Sequence, residues 1–283
     1  MQLSVIIVSY NSMELLENCL FSIQKAMRTI DGEIIIVDNN SKDGIKDHLP
    51  SKFPGAKFIF NIENLGFAKA CNQGSKISSG DHILFLNPDT ILSGTCLTDC
   101  IAFLKTHSDA GAVGVRMLDD KGKFLRESKR GLPSPSASFY KLFGLTAIFP
   151  DSKEIAKYYQ GHISENGNNP VDVLSGAFMM IKRAVFEKIN GFDEKFFMYG
   201  EDIDLSLRIS QLGFKNYYLG KVTIIHLKGG STTYNYKYVN DFYGAMKLFV
   251  KKHYNDKSTP YRLFLHAGIG IRKTLSILAL PFR

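Results

Sequence analysis

Three apolar runs near the start of the chain constrain the fold more than any other feature of the sequence. They read LSVIIVSY (3–10), EIIIVDNN (33–40) and HILFLNPD (82–89). Each has a continuously apolar centre, as expected for a strand buried on both faces. Helical patterns separate the runs, and strands that alternate with helices pair in parallel through right-handed crossovers. We therefore predict an α/β fold with a mostly parallel sheet flanked by helices.

Further segments extend this pattern along the chain. AKFIFN (56–61) and AGAVGVRML (110–118) are predicted strands, and VDVLSGAFMMIKR (171–183) is predicted as one strand with a glycine at its middle. The stretch 196–213 runs from an aromatic loop into an amphipathic helix that ends at Gly213. Residues 120–170 are predicted to be rich in loops, and the tail from Tyr236 onward is predicted to be a basic helical extension.

The three apolar runs all end in polar residues. These ends are Ser9–Tyr10–Asn11, Asp38–Asn39–Asn40 and Asn87–Pro88–Asp89. Ligands of open α/β sheets bind beyond the carboxyl ends of the strands. One polar end would be an ordinary turn, but three together predict a shared binding cleft.

The Asn87–Pro88–Asp89 end has two interpretations. Asn-Pro-Asp is a common turn sequence, and the proline ends the strand because it lacks a backbone donor. At the end of a buried strand, however, Asp89 is also a hard oxygen ligand suited to Mg²⁺ or Mn²⁺. His226, at another strand end before a glycine turn, is a second candidate ligand, although a lone histidine is more often structural.

Two further positions, one at a strand end and one at a helix start, are candidates for contact with a nucleotide. A carboxylate at Asp38 would accept the N3–H of uracil or thymine, or it would serve as a cap or turn residue. Gly66 precedes a helical pattern, where bare N–H groups could meet a phosphate. Glycine at a helix start is common, so this second signal is weak on its own.

Three carboxylates crowd one helix start in YGEDIDL (199–205). Glu201, Asp202 and Asp204 all fall in the first turn, where the helix dipole favours negative charge. Capping explains one or two of them. The functional interpretation is a general base that accepts a proton from a substrate hydroxyl, with Asp204 turned toward the core or acting as a strut.

Composition limits the classes of partner. The chain has 35 Lys and Arg against 27 Asp and Glu, a formal charge of +8 that favours anionic partners. The basic residues form no aromatic-interleaved patch, so nucleic acid is not an expected partner.

The four cysteines lack CxxC or metal spacing, which predicts buried free thiols in a reducing compartment. The sequence shows no cleavage site and no spanning apolar run, so we expect a cytoplasmic location.

The C-terminal helical pattern is amphipathic. One face carries Phe264, Ile271, Leu275, Leu278 and Phe282, and the opposite face carries Arg262, His266 and Lys273. The pattern suits a helix in the membrane interface on the inner face of the plasma membrane. It equally suits a helix packed on the rest of the chain or on a second subunit of a homo-oligomer.

A basic loop, FLRESKRGLPSPS (124–136), precedes the second half of the chain. Arg126 and Arg130 could lie near an acceptor phosphate there, although solvated charge is the default for such residues.

Together these motifs resemble glycosyltransferase family 2, whose members have the GT-A (Rossmann-like) fold. The resemblance is carried, in the family's order, by SVIIVSYN, VDNNSKDG, NLGFAKACNQG, LFLNPDT, SGAFMMIKR, FMYGEDIDLSLRI and HLKGGST. It covers roughly residues 3–232, so we expect a catalytic domain at 1–232 and a basic helical extension at 233–283. Among the branches of the family the chain looks most like the bacterial rhamnosyltransferase-type enzymes.

The resemblance implies roles for individual residues. Asp202 matches the catalytic base, with Glu201 beside it. Asp89 matches the metal-binding aspartate of the family's DXD motif, whose first carboxylate is replaced here by Asn87, and His226 matches a histidine that completes metal or diphosphate binding. The positions implied to contact the nucleotide sugar are Ser9, Tyr10, Asn11, Asp38, Asn64, Gly66, Asn72, Asn87 and Gly176.

The resemblance also implies a reaction. We expect an inverting transferase that uses Mg²⁺ or Mn²⁺ and moves one sugar from a UDP- or dTDP-linked donor to a glycan or lipid-linked acceptor of cell-surface polysaccharide synthesis. The family's processive synthases carry a Trp-containing motif, and this chain has no Trp. The alternatives are a nucleotidyltransferase, which would carry a glycine-rich basic loop where VSYNSMELL stands, and a non-catalytic carbohydrate-binding protein.

Overall fold

The computed structural model describes residues 1–133, 148–149, 152–154, 156–227 and 235–280. Its strands are β1 Leu3–Ser9, β2 Gly32–Asp38, β3 Lys57–Phe60, β4 His82–Leu86, β5 Thr90–Leu92, β6 Ala110–Leu118, β7 Lys129–Arg130, β8 Asn168–Val171, β9 Val173–Leu174, β10 Phe178–Lys182 and β11 Lys215–His226. Its α-helices are α1 Met13–Ala26, α2 Ile45–Lys52, α3 Phe67–Lys76, α4 Cys96–Thr106, α5 Arg183–Lys188, α6 Glu201–Gln211, α7 Tyr236–His253 and α8 Thr259–Leu278. The predicted α/β fold with a helical C-terminal extension is confirmed.

The main sheet has the strand order β3-β2-β1-β4-β10-β6-β11-β5, and β8 pairs with β11. Strands β3, β2, β1 and β4 are parallel to one another, as the sequence predicts. β10 runs antiparallel between β4 and β6. The sheet is therefore mixed, and its parallel half contains all three apolar runs.

The sheet is covered on both faces. Along β1, Val5 and Ile7 join one buried cluster while Ile6 and Val8 join the other, because successive side chains of a strand point to opposite faces. Helices α1, α2 and α4 contribute to the first cluster, and α3, α5 and α6 contribute to the second. Burial on both sides explains why the runs are apolar at every position rather than at alternate ones.

The prediction of one strand over 171–183 is wrong. The segment forms two strands, and the break lies at Ser175, Gly176 and Ala177. A turn there has the Phe178 N–H donating to the Ser175 carbonyl over 3.3 Å. β9 pairs with β7 in a separate two-stranded sheet, whereas β10 enters the main sheet. The apolar run is continuous in composition, but its two halves pair with strands of different sheets.

The C-terminal helices pack beside α6. Phe196, Ala245 and Phe249 form a third apolar cluster there, and the Tyr243 and Ser276 hydroxyls, on α7 and α8, lie 2.9 Å apart. None of the helices in the described ranges combines the length and the apolar character needed to cross a bilayer.

Candidate active site

The carboxyl ends of β1, β2 and β4 meet at one edge of the sheet, because these strands are parallel neighbours. Ser9 lies opposite Asp38 in the register, and the Asn39 N–H donates to the Ser9 carbonyl over 2.8 Å. On the other side of β1, Ile7 lies opposite Leu86, the last residue of β4. The polar ends predicted to share one edge do so.

The loops after β1 and β2 are locked to each other. Asn11 is left-handed, with φ of 52°. Its side-chain oxygen accepts from the Lys42 N–H at 2.7 Å, and its own N–H donates to the Ser41 hydroxyl at 2.8 Å. The Ser9 and Ser12 hydroxyls bond to each other at 2.8 Å. Ser9 and Asn11 thus use their side chains to build the loops, whereas the Tyr10 side chain is exposed.

A cavity of about 540 Å³, which we call the polar cleft, opens beside these loops. The predicted residues that line it are Tyr10, Asn64, Gly66 and Asn87. Sequence reasoning missed several others, among them Asn39, Phe67, Phe197, Tyr199, Asn235 and Tyr238. Asn235 and Tyr238 come from α7 and its N-cap, so the C-terminal extension helps to form the cleft.

Asp38 is held in a turn. Its carboxylate accepts from the Ser41 N–H at 3.0 Å and from the Ser41 hydroxyl. At this position the cleft is formed by Asn39, which is buried and whose amide donates to the Gly66 carbonyl at 3.2 Å. The run of polar residues in VDNN was the signal that could have identified Asn39.

Gly66 joins the start of α3 to the loop before α6. It has φ of 83°, and a Cβ there would lie 2.4 Å from the Phe197 carbonyl oxygen, so a larger residue would not fit. Its N–H donates to the Asn64 side chain at 3.0 Å. The predicted free N–H at Gly66 for a phosphate is therefore already paired, although both residues line the cleft.

Asn72 does not reach the polar cleft. It is buried on α3, and its amide donates to the Phe192 carbonyl and to Glu194, each at 3.0 Å. Its oxygen accepts from the Phe192 N–H at 3.0 Å. The sequence prediction of a sugar-nucleotide contact at Asn72 is corrected to a structural one, since the amide fixes the turn before α6.

Asp89 and His226 face each other beyond β4. Their atoms Oδ1 and Nε2 lie 3.2 Å apart, and both side chains are nearly buried. The contact forms because Thr90 pairs with His226 between β5 and β11, and the Leu227 N–H donates to the Asp89 carbonyl over 2.8 Å.

The Asp89–His226 pair fits a divalent ion in part. Two ligands at right angles on an octahedral Mg²⁺ are about 3 Å apart. In the described part of the chain, Asp89 Oδ1 and His226 Nδ1 are buried and have no hydrogen-bond partner. Among the residues that the structure describes, no third His, Cys, Asp or Glu lies close enough to complete a metal site with this pair. The remaining ligands would have to come from substrate oxygens and water, as is usual for Mg²⁺.

A short path of contacts connects the end of β4 to the start of α6. The Asn87 N–H donates to the Ala177 carbonyl over 3.0 Å. The neighbouring Gly176 N–H donates to Asp202 Oδ2 over 3.1 Å. The break between β9 and β10 therefore brings Asp202 to the same edge of the sheet as Asn87 and Asp89.

Asp202 is held by three donors. Oδ1 accepts from the Ile203 N–H at 2.8 Å, and Oδ2 accepts from Gly176 and from the Arg130 guanidinium. A carboxylate offers about four lone-pair positions. One position on Oδ1 therefore remains for an incoming hydroxyl.

Arg130 is buried rather than solvated, so the default interpretation of its charge is wrong. It also donates to the Leu174 carbonyl at 3.0 Å. Burial alone would lower the pKa of Arg130, but Asp202 and Tyr158 raise it more, and the net pKa lies above its usual value. Arg130 thus stays charged beside Asp202.

Glu201, next to Asp202, is nearly buried. Burial, and then the Asp202 charge, raise its pKa to about 8. Glu201 is therefore mostly protonated at neutral pH. Burial and the neighbouring charge thus favour the neutral form of Glu201.

Asp204 is the strut that its position predicts. It is fully buried, and it contacts Arg208 at 2.8 Å, Lys252 at 2.7 Å and His253 at 2.6 Å. Burial raises its pKa, but the bonds from His253 and Lys252 outweigh this and lower it to about 2. These contacts fasten α6 to α7.

A second cavity, which we call the apolar cavity, lies between α6, α7 and α8. It measures about 160 Å³ and is lined by apolar side chains together with Arg130, Glu201 and Asp202. Tyr199 lines both the apolar cavity and the polar cleft. Its φ is 70°, a left-handed value that costs a non-glycine residue energy and is often found at functional sites.

The sequence matches two known families. Residues 4–190 match Glycosyl transferase family 2, and residues 163–253 match the N-terminal domain of galactosyltransferase.

Curated relatives agree with the first match. The chain is 27% identical over 242 residues to N-acetylglucosaminyl-diphospho-decaprenol L-rhamnosyltransferase of Mycobacterium tuberculosis, an alignment that spans 81% of this chain and 77% of that one. It is 33% identical over 202 residues to the rhamnosyltransferase WbbL of Escherichia coli, which spans 68% of this chain and 72% of that one.

Solved structures share the fold. S. aureus TarS 1-349 superposes with a TM-score of 0.61 at 18% identity, over 99% of this chain and 73% of that one. The mannosyltransferase PcManGT from Pyrobaculum calidifontis, solved in complex with GDP-Man and Mn²⁺, gives 0.62 at 17% identity, over 98% of this chain and 72% of that one.

Proposed function

Because the chain belongs to glycosyltransferase family 2, and is therefore a glycosyltransferase, we propose that it inverts configuration as it moves one sugar from a nucleoside-diphosphate donor to an acceptor hydroxyl. The observation that carries this proposal is the path from Asn87 through Ala177 and Gly176 to Asp202. It sets the Asp89–His226 pair and a carboxylate with a free lone pair at one edge of the sheet.

The donor would lie in the polar cleft. Tyr10 is 47% exposed there and offers a ring on which a base could stack. Asp38 is nearly buried and does not line the cleft, so it would hold the loop after β2 through Ser41 rather than contact the base directly. Asn39, Asn64 and Asn87 supply neutral polar contacts for the ribose and the phosphates.

Asp89 and His226 would hold one divalent ion, Mg²⁺ or Mn²⁺. The spacing of Asp89 Oδ1 and His226 Nε2 supports this assignment, as does the buried Asp89 Oδ1, which has no hydrogen-bond partner among the described residues. So does the Mn²⁺ named for the structurally similar mannosyltransferase. When bound, such an ion stabilises the negative charge of a departing diphosphate.

Asp202 would act as the general base. The acceptor hydroxyl gives its proton to Asp202 Oδ1 while its oxygen bonds to the anomeric carbon. The anomeric carbon–oxygen bond on the opposite side breaks, and its electron pair leaves with the nucleoside diphosphate. A single displacement inverts the configuration and needs no covalent sugar–enzyme intermediate. Glu201, whose pKa is raised to about 8, would be mostly protonated at neutral pH and so would not accept this proton.

We propose a rhamnose donor and a lipid-linked acceptor in cell-surface polysaccharide synthesis. The relatives in M. tuberculosis and E. coli are both named as rhamnosyltransferases, and the name of the first specifies a diphospho-decaprenol acceptor. The nucleotidyltransferase and the carbohydrate-binding alternatives lose their support, because the matched family is one of glycosyltransferases.

The exposed face of α8 supports association with a membrane surface. Phe264, Ile271, Leu275 and Leu278 are all more than half exposed. Leu265, on another face, is buried. The helix therefore both packs on the protein and leaves an apolar stripe open, and α8 contains no acidic residue that would repel anionic lipid. Phe282 lies outside the described residues.

The proposed function can be tested with a panel of UDP- and dTDP-linked sugars. Each is incubated with the protein and Mg²⁺ or Mn²⁺, and release of the nucleoside diphosphate is followed. We expect metal-dependent turnover of one donor, and we expect dTDP-rhamnose to be that donor. Turnover of no sugar nucleotide, with or without a polyprenyl-linked acceptor, would contradict the proposed function.

A further inference from the structure

The apolar cavity has no role in the proposed reaction, yet it adjoins the catalytic carboxylates. Its apolar walls come from α7, with Phe242, Met246 and Phe249, and from α8, with Leu265 and Ile269. At about 160 Å³ it matches in size apolar cavities that take up a ring of six carbons. A ligand group of five or six carbons would therefore fill it.

The remaining wall of the cavity is charged. Arg130 and Asp202 line it together with the start of α6. Arg130 Nε has no hydrogen-bond partner in the part of the chain that the structure describes, and the Arg130 side chain is only 14% exposed. A buried donor without a partner is costly, so it points to a ligand acceptor at this place.

Helix α8 connects this cavity to the exposed apolar stripe. Leu265 and Ile269 line the cavity, whereas Ile271 and Leu275 of the same helix are more than half exposed. One helix therefore offers an apolar surface on two sides. An apolar chain that enters the cavity from outside would remain in contact with α8 along its length.

We propose that the apolar cavity receives the first prenyl unit of a lipid-phosphate acceptor and that Arg130 binds the phosphate attached to it. This inference rests on the proposed function, since it assigns the acceptor side of the same site. The charge of Arg130 complements a phosphate, and bidentate phosphate contacts are characteristic of arginine. The acceptor sugar, joined to that phosphate, would then lie next to Asp202.

The arrangement also assigns a second role to Arg130. Without an acceptor its guanidinium pairs with Asp202 Oδ2 and the Leu174 carbonyl. A bound phosphate would share this positive charge, so Arg130 would hold the acceptor phosphate beside the carboxylate that accepts the proton.

The test compares two ligands with the same head group, geranyl phosphate and methyl phosphate, by isothermal titration calorimetry. Geranyl phosphate is kept below its aggregation concentration. For the wild type we expect geranyl phosphate to bind at least about tenfold more tightly, which is the effect of burying two or more methylene groups. No donor sugar is needed, so the result does not depend on whether turnover has been found.

Two substitutions that fill the cavity should remove this preference. Ile269→Phe on α8 and Met246→Phe on α7 reduce the space available, and we expect geranyl and methyl phosphate to bind either variant with similar affinity. Leu275→Phe, a matched change on the exposed face of α8, should leave the preference unchanged. Arg130→Lys, which keeps the charge but loses the fork of donors, should weaken both ligands by a similar factor.

Folding is checked by the melting temperature and by UDP binding in the polar cleft, which all four variants should retain. The proposal is overturned if wild type binds the two phosphates equally, or if both well-folded cavity variants keep the tenfold preference. A preference that is lost in Leu275→Phe instead would locate lipid binding on the exposed stripe. If the donor panel fails while the cavity preference holds, the proposed reaction is wrong but the lipid-phosphate site remains.

Discussion

The two sides of the site are built by different physical means. On the side of the polar cleft, hydrogen bonds of Asn11 with Ser41 and Lys42 join the short loops after β1 and β2, and the Asn39 amide joins the second loop to Gly66. On the side of the apolar cavity, α6, α7 and α8 meet through aromatic packing and the ion pairs of Asp204. The first side is polar and rests on parallel strands, whereas the second is apolar and rests on helices.

The difference indicates how the two substrates would be recognised. Neutral polar groups in fixed loops can match the hydrogen-bonding pattern of one nucleotide, because an unmatched buried polar group is costly. An apolar cavity discriminates less between chains of similar size, because an added methylene changes binding only modestly. We therefore expect strict selection of the donor nucleotide and looser selection of the lipid.

Asp202→Asn should have the largest effect and should separate the two sides. The substitution keeps the shape but removes the base, so we expect transfer to fall by about 10²- to 10⁴-fold. UDP binding should persist, since Asp202 does not line the polar cleft. Transfer rate and calorimetric UDP affinity are measured on the same preparation. Loss of both would make Asp202 a structural residue.

Asp204→Asn should lower the stability of the protein. Removing one partner from a buried ion-pair cluster costs about 3–5 kcal/mol in the free energy of unfolding. The folded pKa of Asp204 is about 2, below its ordinary value of 3.8. Its stabilisation is therefore complete above pH 3.8 and is lost as the pH falls through about 2. Urea unfolding at several pH values should show the gap between wild type and variant closing as the pH falls.

Glu201→Gln should stabilise the protein at high pH. The folded pKa of Glu201 is about 8, against an ordinary value of 4.5, so ionisation penalises the fold increasingly between these values and fully above pH 8. We expect the variant to gain several kcal/mol over wild type above pH 8 and little below pH 4.5. Thermal unfolding across this range checks the sign. A gain that is independent of pH would mean that Glu201 is ionised in the fold.

Much of the fold was predictable because strands that are buried on both faces require long apolar runs, which are easy to recognise in the sequence. The runs that became β1, β2 and β4 are apolar on both faces, and parallel pairing of alternating strands brings their polar ends together. From the sequence, Asp202 and Asp204 could be distinguished only by their spacing, since one faces the site and the other faces α7. The structure supports that division.

The parts that could not be predicted depend on long-range contacts. Arg130 lies 72 residues from Asp202, and no local pattern signals their pairing. Asn72 belongs to a motif that resembles a binding segment, but its partner Phe192 lies 120 residues away. The break at Gly176 was hidden because β9 and β10 are both apolar. In each case the partner is set by tertiary packing, which local periodicity does not encode.

Asp89→Asn tests the proposed metal site beside the polar cleft. Loss of a residue that merely orients a metal ligand costs about 10- to 100-fold in metal affinity, and loss of a ligand should cost at least about tenfold. We therefore expect the increase in UDP affinity produced by Mn²⁺ to shrink at least about tenfold, while UDP binding without metal stays the same. His226→Gln should act in the same direction. An undiminished Mn²⁺ effect in both variants would exclude this pair as the metal site.

Leu275→Glu probes the exposed stripe of α8 and should have the smallest effect. Leu275 is 52% exposed, so the change costs the folded protein little. At a bilayer it replaces an apolar contact by a negative charge, and we expect binding to anionic liposomes to weaken by about fivefold. Lys273→Glu lies on the face of the helical pattern opposite Leu275. It changes the net charge by two units instead of one, but it removes no apolar contact. If only the charge mattered, Lys273→Glu would weaken liposome binding more than Leu275→Glu does, and the stripe would not be the membrane contact.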